Sequence, residues 1–192
     1  MVDLDCRSSA RQIGRRTARK LGLGLTLTPR LALAQTEPAR ERPKEGDLLV
    51  LVSGPSLEPL KPDDLPLNGT QTFAWPMELA SKTARDGSRL NKVLLLRLDP
   101  EGFDAGARDQ AAEGVVAYSA VCTHAGCDVT SWGADRRLLG CPCHYSTYDP
   151  KDRGKVVGGP VPRLLPALQL KLADGLLVVA KPFTGRAGFQ QM

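Results

Sequence analysis

The chain has 192 residues, 42% of them hydrophobic and 24% charged, with 19 glycines and 15 prolines. This length holds one domain, or one domain with a small inserted subdomain; the balance excludes a disordered chain, and the Gly and Pro content argues against a helical bundle. The formal charge of +5 lies at one end: residues 1–34 hold seven basic and two acidic groups (7 − 2 = +5), and residues 35–192 hold 19 of each. A neutral body lacks the electrostatic footprint that nucleic acid requires.

Residues 1–34 read as an export signal. A basic region runs to Lys20, an apolar stretch follows from Leu21 to Thr28, and Ala32-Leu-Ala34 offers a small-x-small cleavage site. Arg15-Arg16 with Lys20 looks like a twin-arginine signal, although Gly14, Ala18 and Arg19 depart from the usual pattern. The apolar run is shorter than the ~20 residues a membrane span takes. Cleavage is expected, which would remove Cys6. Membrane association is then peripheral, or runs through an uncleaved N-terminus. The expected location is the periplasm or the outer face of the cytoplasmic membrane.

Residues 35–46, with Pro38 and Pro43, read as a flexible linker, and residues 47–192 as the folded domain. Asp47–Val52 is a short apolar run that predicts a buried strand. Four prolines and Asn68-Gly69 make residues 53–72 loops and turns. Phe73-Ala-Trp75 starts a strand that Pro76 is expected to end. Asn91–Leu98 and Val115–Ala120 read as strong strands. The polar, Gly-containing stretch 99–114 between them reads as a surface insertion. Residues 137–139 predict a further strand. Leu168–Leu172 alternates with period two, Ala173-Asp174-Gly175 turns, and Leu176–Ala180 returns, which signals a hairpin. Tyr118 and Trp132 are expected in the core. No segment predicts a helix. The fold class is all-β: an antiparallel base domain with a small inserted subdomain over about residues 119–163.

The chain has five Cys and two His; apart from Cys6, all of them fall within the 23 residues from Cys122 to His144. Structural cysteines and histidines scatter, so this confinement to two short segments points to one site that needs them together. The segments are Cys122-Thr-His-Ala-Gly-Cys127 and Cys141-Pro-Cys-His-Tyr-Ser146. Each can aim two ligands at one metal from a tight loop, with Gly126 permitting and Pro142 fixing unusual backbone angles. Two Cys and two His are also a common zinc set.

Both motifs resemble those of the Rieske iron–sulfur family, and specifically its disulfide-containing branch. That branch includes the Rieske subunits of cytochrome bc complexes and the small subunit of arsenite oxidase. The resemblance covers about residues 115–182. It implies one [2Fe–2S] cluster, with Cys122 and Cys141 on the inner iron and His124 and His144 on the outer one. It implies a disulfide between Cys127 and Cys143, which persists in an oxidising compartment. It also implies that Ser146 and Tyr148 donate hydrogen bonds to sulfur, and that Gly158-Gly-Pro-Val-Pro162, through Gly159 and Pro160, covers a third side. Replacing two thiolates by imidazoles raises the potential from about −400 mV toward a range of about −150 to +300 mV. Hydrogen bonds to sulfur raise it further, because they favour the more negative reduced state. Imidazole ligands also couple the midpoint to pH, since reduction favours proton uptake.

The resemblance implies one-electron transfer by an iron–sulfur subunit of a larger oxidoreductase, not a complete enzyme. Two readings follow. One is a relay from a partner dehydrogenase or oxidase subunit; the other is quinol oxidation in a cytochrome bc-type complex. Bc-complex members usually have Leu at the place of Ala125 and Gly at the place of Tyr145. These departures alter the apolar rim where a quinol would dock. The aromatic at 145 is similar to the arsenite oxidase small subunits, and the expectation leans to the relay.

Overall fold

The computed structural model describes residues 37–54 and 56–189. The expected export signal and Cys6 lie outside the described residues. Among the described residues no helix is long and apolar enough to cross a membrane.

The larger sheet is antiparallel. It comprises β1 (Leu48–Leu51), β2 (Thr72–Glu78), β3 (Thr83–Ala84), β4 (Val93–Arg97), β5 (Val115–Ser119), β10 (Gln169–Ala173) and β11 (Leu176–Lys181), in the order β10-β11-β1-β2-β4-β5 with β3 on β2. The smaller sheet holds β6 (Ser131–Gly133), β7 (Leu138–Cys141), β8 (Ser146–Asp149) and β9 (Lys155–Gly158) in sequence order. The chain before β10 folds back onto β5: Leu168 N donates to Ala117 O at 2.9 Å and Ser119 N to Pro166 O at 2.8 Å. This brings the large sheet close to a barrel.

β4 and β5 explain how the two parts join. Val93, Leu95, Val115 and Ala117 face the interior of the large sheet with Leu49, Leu168 and Leu177. Leu94, Leu96, Val116 and Tyr118 face the other way, onto Leu139 and Tyr148 of the small sheet. Strands buried on both faces read as continuous apolar runs, as Val93-Leu-Leu-Leu96 does. Tyr118 also donates from its hydroxyl to Pro150 O at 2.7 Å, clamping the end of β8 to the base. Trp132 is half-buried against the same core.

Three sequence expectations need correction or refinement. Pro76 does not end its strand: it pairs with Leu49 inside β2. Its carbonyl accepts from Arg85 N at 2.7 Å, so its ring nitrogen faces the same side, past the last β2–β4 pair, Ala74↔Val93. No ladder bond is lost there, which is the condition for proline inside a strand. The stretch 99–114 is not only loop. It contains a helix, α1 (Ala105–Gln110), capped by the Asp104 side chain accepting from Gly106 N at 2.9 Å. α1 buries Ala107, and Phe103 just before it is also buried; six residues with a glycine are too short for helical periodicity to appear. The described part of the segment expected as a linker is fastened to the body. Gly87 N donates to Ala39 O at 2.9 Å, and Asn91 Nδ2 donates to Glu41 O at 2.7 Å.

Candidate metal centre

Both cysteine–histidine segments are loops at the same end of the molecule. The first follows β5, since Cys122 comes three residues after Ser119. Cys122 N donates to Cys127 O at 2.8 Å and Gly126 N to Cys122 O at 3.2 Å, so the segment curls on itself. Gly126 takes φ +79, and a Cβ there would lie 2.9 Å from the Phe189 ring. The second segment closes the β7–β8 hairpin, where Cys141 pairs with Ser146.

The chain between that pair, residues 142–145, ends with Tyr145 at φ +55. A bulky side chain in the left-handed region is an outlier that costs about 1–3 kcal/mol. Tyr145 gains no burial in return: it is 84% exposed.

Three links tie these loops and the proline-rich segment together. Cys127 and Cys143 form a disulfide, joining the two loops. Thr123 Oγ1 donates to Arg163 O at 2.9 Å, joining the first loop to the proline-rich segment. Gly159, at φ +87, lies flush on the second loop: a Cβ there would fall 2.5 Å from Ser146 Cα. Pro160 follows it and is exposed. The disulfide spans 16 positions. Replacing Cys127 and Cys143 together by alanine is expected to cost about 3 kcal/mol of stability, measured by denaturant unfolding against the unreduced wild type.

The donor atoms divide by burial. Cys122 and Cys141 are free thiols and buried. Burial is the largest influence on the Cys141 thiol and pushes its pKa up; the backbone N–H of Cys143 opposes it, and the neighbouring Cys122 thiol adds to the rise. Two buried thiols side by side become thiolates only with a compensating cation, which a metal supplies. His144 is exposed and His124 partly so. Their Nδ1 atoms converge to 3.2 Å with the rings nearly perpendicular. Two sulfurs inside and two imidazole nitrogens outside fit a [2Fe–2S] group held by two Cys and two His. Cys127 and Cys143 do not enter that set, because each already bonds the other.

Two hydroxyls complete the fit. Tyr148 is fully buried, and its Oη lies 3.2 Å from Cys122 Sγ. Burial pushes its phenol well above the ordinary value, and the Cys122 contact adds to the rise, so it remains a hydrogen donor. Ser146 Oγ is buried with no hydrogen-bond partner among the described residues. Leaving a buried hydroxyl unpaired costs about 1–3 kcal/mol, and an acceptor such as a sulfide at this site would relieve it.

Some residues that organise the site carry no sequence signal. Asp128, at the end of the first loop, takes Arg89 Nη2 at 2.6 Å and Lys92 Nζ at 3.1 Å. Burial alone would raise its carboxyl pKa, but these two cations outweigh burial and hold it below the ordinary value. Arg89 also donates to Gly126 O at 2.6 Å, and Arg163 donates to Arg186 O at 2.6 Å. These bonds join residues 23 to 39 positions apart, which no local pattern announces.

Comparison with known proteins places the chain among iron–sulfur proteins. A family model described as the Rieske [2Fe–2S] domain matches residues 93–169. The cytochrome bc1 complex Rieske iron–sulfur subunit of Streptomyces lividans is 35% identical over 133 residues, covering 68% of this chain and 76% of that protein. A Haloferax mediterranei protein, named provisionally as the Rieske subunit of a respiratory nitrate reductase, is 39% identical over 106 residues, covering 54% of this chain and 47% of that one. Among solved structures, the plasma-membrane Rieske protein of Synechocystis is similar at 26% identity and a TM-score of 0.35, covering 46% of this chain and 75% of that one.

Proposed function

This chain belongs to the Rieske [2Fe–2S] family, and on that footing we propose that it relays single electrons within an exported respiratory oxidoreductase. Cys122 and Cys141 would hold one iron through their thiolates, and His124 and His144 the other through their imidazoles. When bound, the cluster takes up and gives back one electron. The protein supplies the rest. Buried thiols exclude water on the inner side, the exposed His144 brings the outer side to the surface, and Tyr148 and Ser146 favour the reduced state.

The observation that carries the proposal is the pairing of converging, outward imidazoles with inward thiols and a buried phenol on Cys122 Sγ. Tyr148→Phe and Ser146→Ala are each expected to lower the midpoint potential in a spectroelectrochemical titration. An unchanged midpoint in either variant removes that hydroxyl from the account. The disulfide supports an oxidising compartment, and Arg15-Arg16 with Ala32-Leu-Ala34 supports export by a twin-arginine route with cleavage. Residues 47–192 form the Rieske domain in this reading.

The relay reading, with a dehydrogenase or oxidase subunit as donor, draws on the rim of the site. Ala125 is small and exposed, and Tyr145 stands out beside His144. A second reading, quinol oxidation in a bc-type complex, is favoured by the Streptomyces relative. Salt-washed membranes separate the two. A chain released by salt supports the relay; a chain retained together with b-type haem supports quinol oxidation.

A further inference from the structure

We propose that the cluster end of this protein docks an acidic face of its redox partner, with a partner carboxylate entering the cavity between Arg42 and Arg186. The inference rests on the electron-carrier reading above and names the chemistry of the partner.

Charge is distributed unevenly along the domain. At the cluster end stand Arg42, Arg89, Lys92, Arg163 and Arg186. Among the described residues, the only carboxylate paired with any of them is Asp128, which already serves both Arg89 and Lys92. Arg42, Arg163 and Arg186 have no acidic partner among the described residues. Their backbone ties place them on this face. Arg163 holds Arg186 O, and its own carbonyl takes Thr123 Oγ1, beside His124. Arg42 donates to Leu90 O at 3.2 Å, and Gly188 lies against both Leu90 and Val121. The opposite end of β4 and β5 has the other sign. There Asp63, Glu113 and Asp174 line a cavity with only Lys61 and Arg97 to offset them, and exposed Asp99 follows Arg97.

The cationic end also has a socket. Arg42 and Arg186, both exposed, line a cavity of about 290 Å³ whose other walls include Pro43, Pro182 and Phe183. An apolar-walled cavity with two unpaired guanidiniums suits a protruding carboxylate, which arginine grips at two points. A flat bilayer offers no such projection. Tyr145, 84% exposed in a strained conformation beside His144, offers an aromatic side chain of the kind that protein interfaces favour. Complementary charge then steers encounter and orients the exposed histidine.

The test uses the purified, cluster-loaded protein reduced with ascorbate. It is oxidised by ferricyanide, an anion, and separately by tris(phenanthroline)cobalt(III), a cation. In each case one electron passes from the cluster to the oxidant's metal, iron(III) becoming iron(II) or cobalt(III) becoming cobalt(II), with no bond made or broken. The ferricyanide rate is expected to fall about tenfold between low and high salt, and the cobalt rate to rise or stay flat. Arg42→Gln/Arg186→Gln is expected to lose several-fold of the ferricyanide rate at low salt and none at high salt. Arg186→Gln alone guards against misfolding, since its side chain bonds nothing among the described residues; it should lose part of the same effect. Independently of electron transfer, the protein should be retained on immobilised poly-glutamate and the double variant released at lower salt. Wild-type rates and retention in the double variant overturn the proposal. So does tighter binding to phosphatidylglycerol vesicles than to poly-glutamate, which would make the occupant a membrane. If neither oxidant takes an electron, the carrier reading fails, while retention still decides the docking face.

Discussion

Cys141→Ser and His144→Ala are each expected to abolish iron binding: the purified variants should be colourless, with iron near zero by elemental analysis. Cys143→Ala should keep its iron and colour. The contrast follows from neighbouring residues with different chemistry. Cys141 is a buried free thiol that interacts with Cys122, whereas Cys143 is exposed and bonded to Cys127. Loss of one thiolate leaves a buried iron position without its charge-compensating donor, and the nearby sulfurs of Cys127 and Cys143 are tied up in bonding each other. Loss of His144 removes one of two converging nitrogens on the exposed side, where water competes. A His144→Ala variant that retained full iron would reject the ligand assignment. A Cys143→Ala variant that lost all iron under mild conditions would show that the disulfide is needed to hold the cluster.

Arg85→Met is expected to destabilise the fold by about 3–5 kcal/mol, because it strands the buried Asp47 carboxylate without its counter-charge. In thermal unfolding this corresponds to a drop of roughly 6–20 °C. The Arg85 side chain is 1% exposed and that of Asp47 4%. Its guanidinium grips Asp47 at two points, Nε to Oδ2 at 2.6 Å and Nη2 to Oδ1 at 2.9 Å. Nη1 donates to Pro38 O at 2.9 Å and to Glu41 at 3.0 Å. The Asp47 bonds are the leading cause of the rise in its pKa, so it is cationic at every working pH. One side chain thus binds residues 38–47 to the end of β3. Arg85→Lys keeps the charge but not the planar fork, and should recover only part of the loss. A Met variant as stable as wild type would mean that this network contributes nothing.

These two predictions differ in how much of their basis was legible in the sequence. The candidate donor set was readable because chemistry and spacing are local: Cys122-Thr-His and Cys141-Pro-Cys-His each lie within a few residues, and residue type alone narrows the chemistry. β4, β5 and the β10–β11 hairpin were readable for similar reasons, through a long apolar run and a clean alternation closed by Asp174-Gly175. β8 and β9 carry no such pattern. Ser146-Thr-Tyr-Asp149 mixes a buried hydroxyl and a buried phenol with polar neighbours, since its inner face meets a metal centre and not an ordinary core. Arg85 sits in an unremarkable polar stretch, and its partner Asp47 is 38 positions away. Pro76 reads as a strand breaker until the neighbouring strands show that its missing N–H faces a gap. In each case the deciding contact is long-range, and the local sequence is neutral or misleading.

The most direct test is an electron paramagnetic resonance spectrum of the purified protein, taken after ascorbate and again after dithionite. A Rieske-type signal is expected with ascorbate alone, as a cluster raised in potential by two imidazoles and two hydroxyl donors should give. A signal that appears only with dithionite would contradict the part assigned to Tyr148 and Ser146. No signal with either reductant, with zinc and not iron in the sample, would contradict the cluster itself.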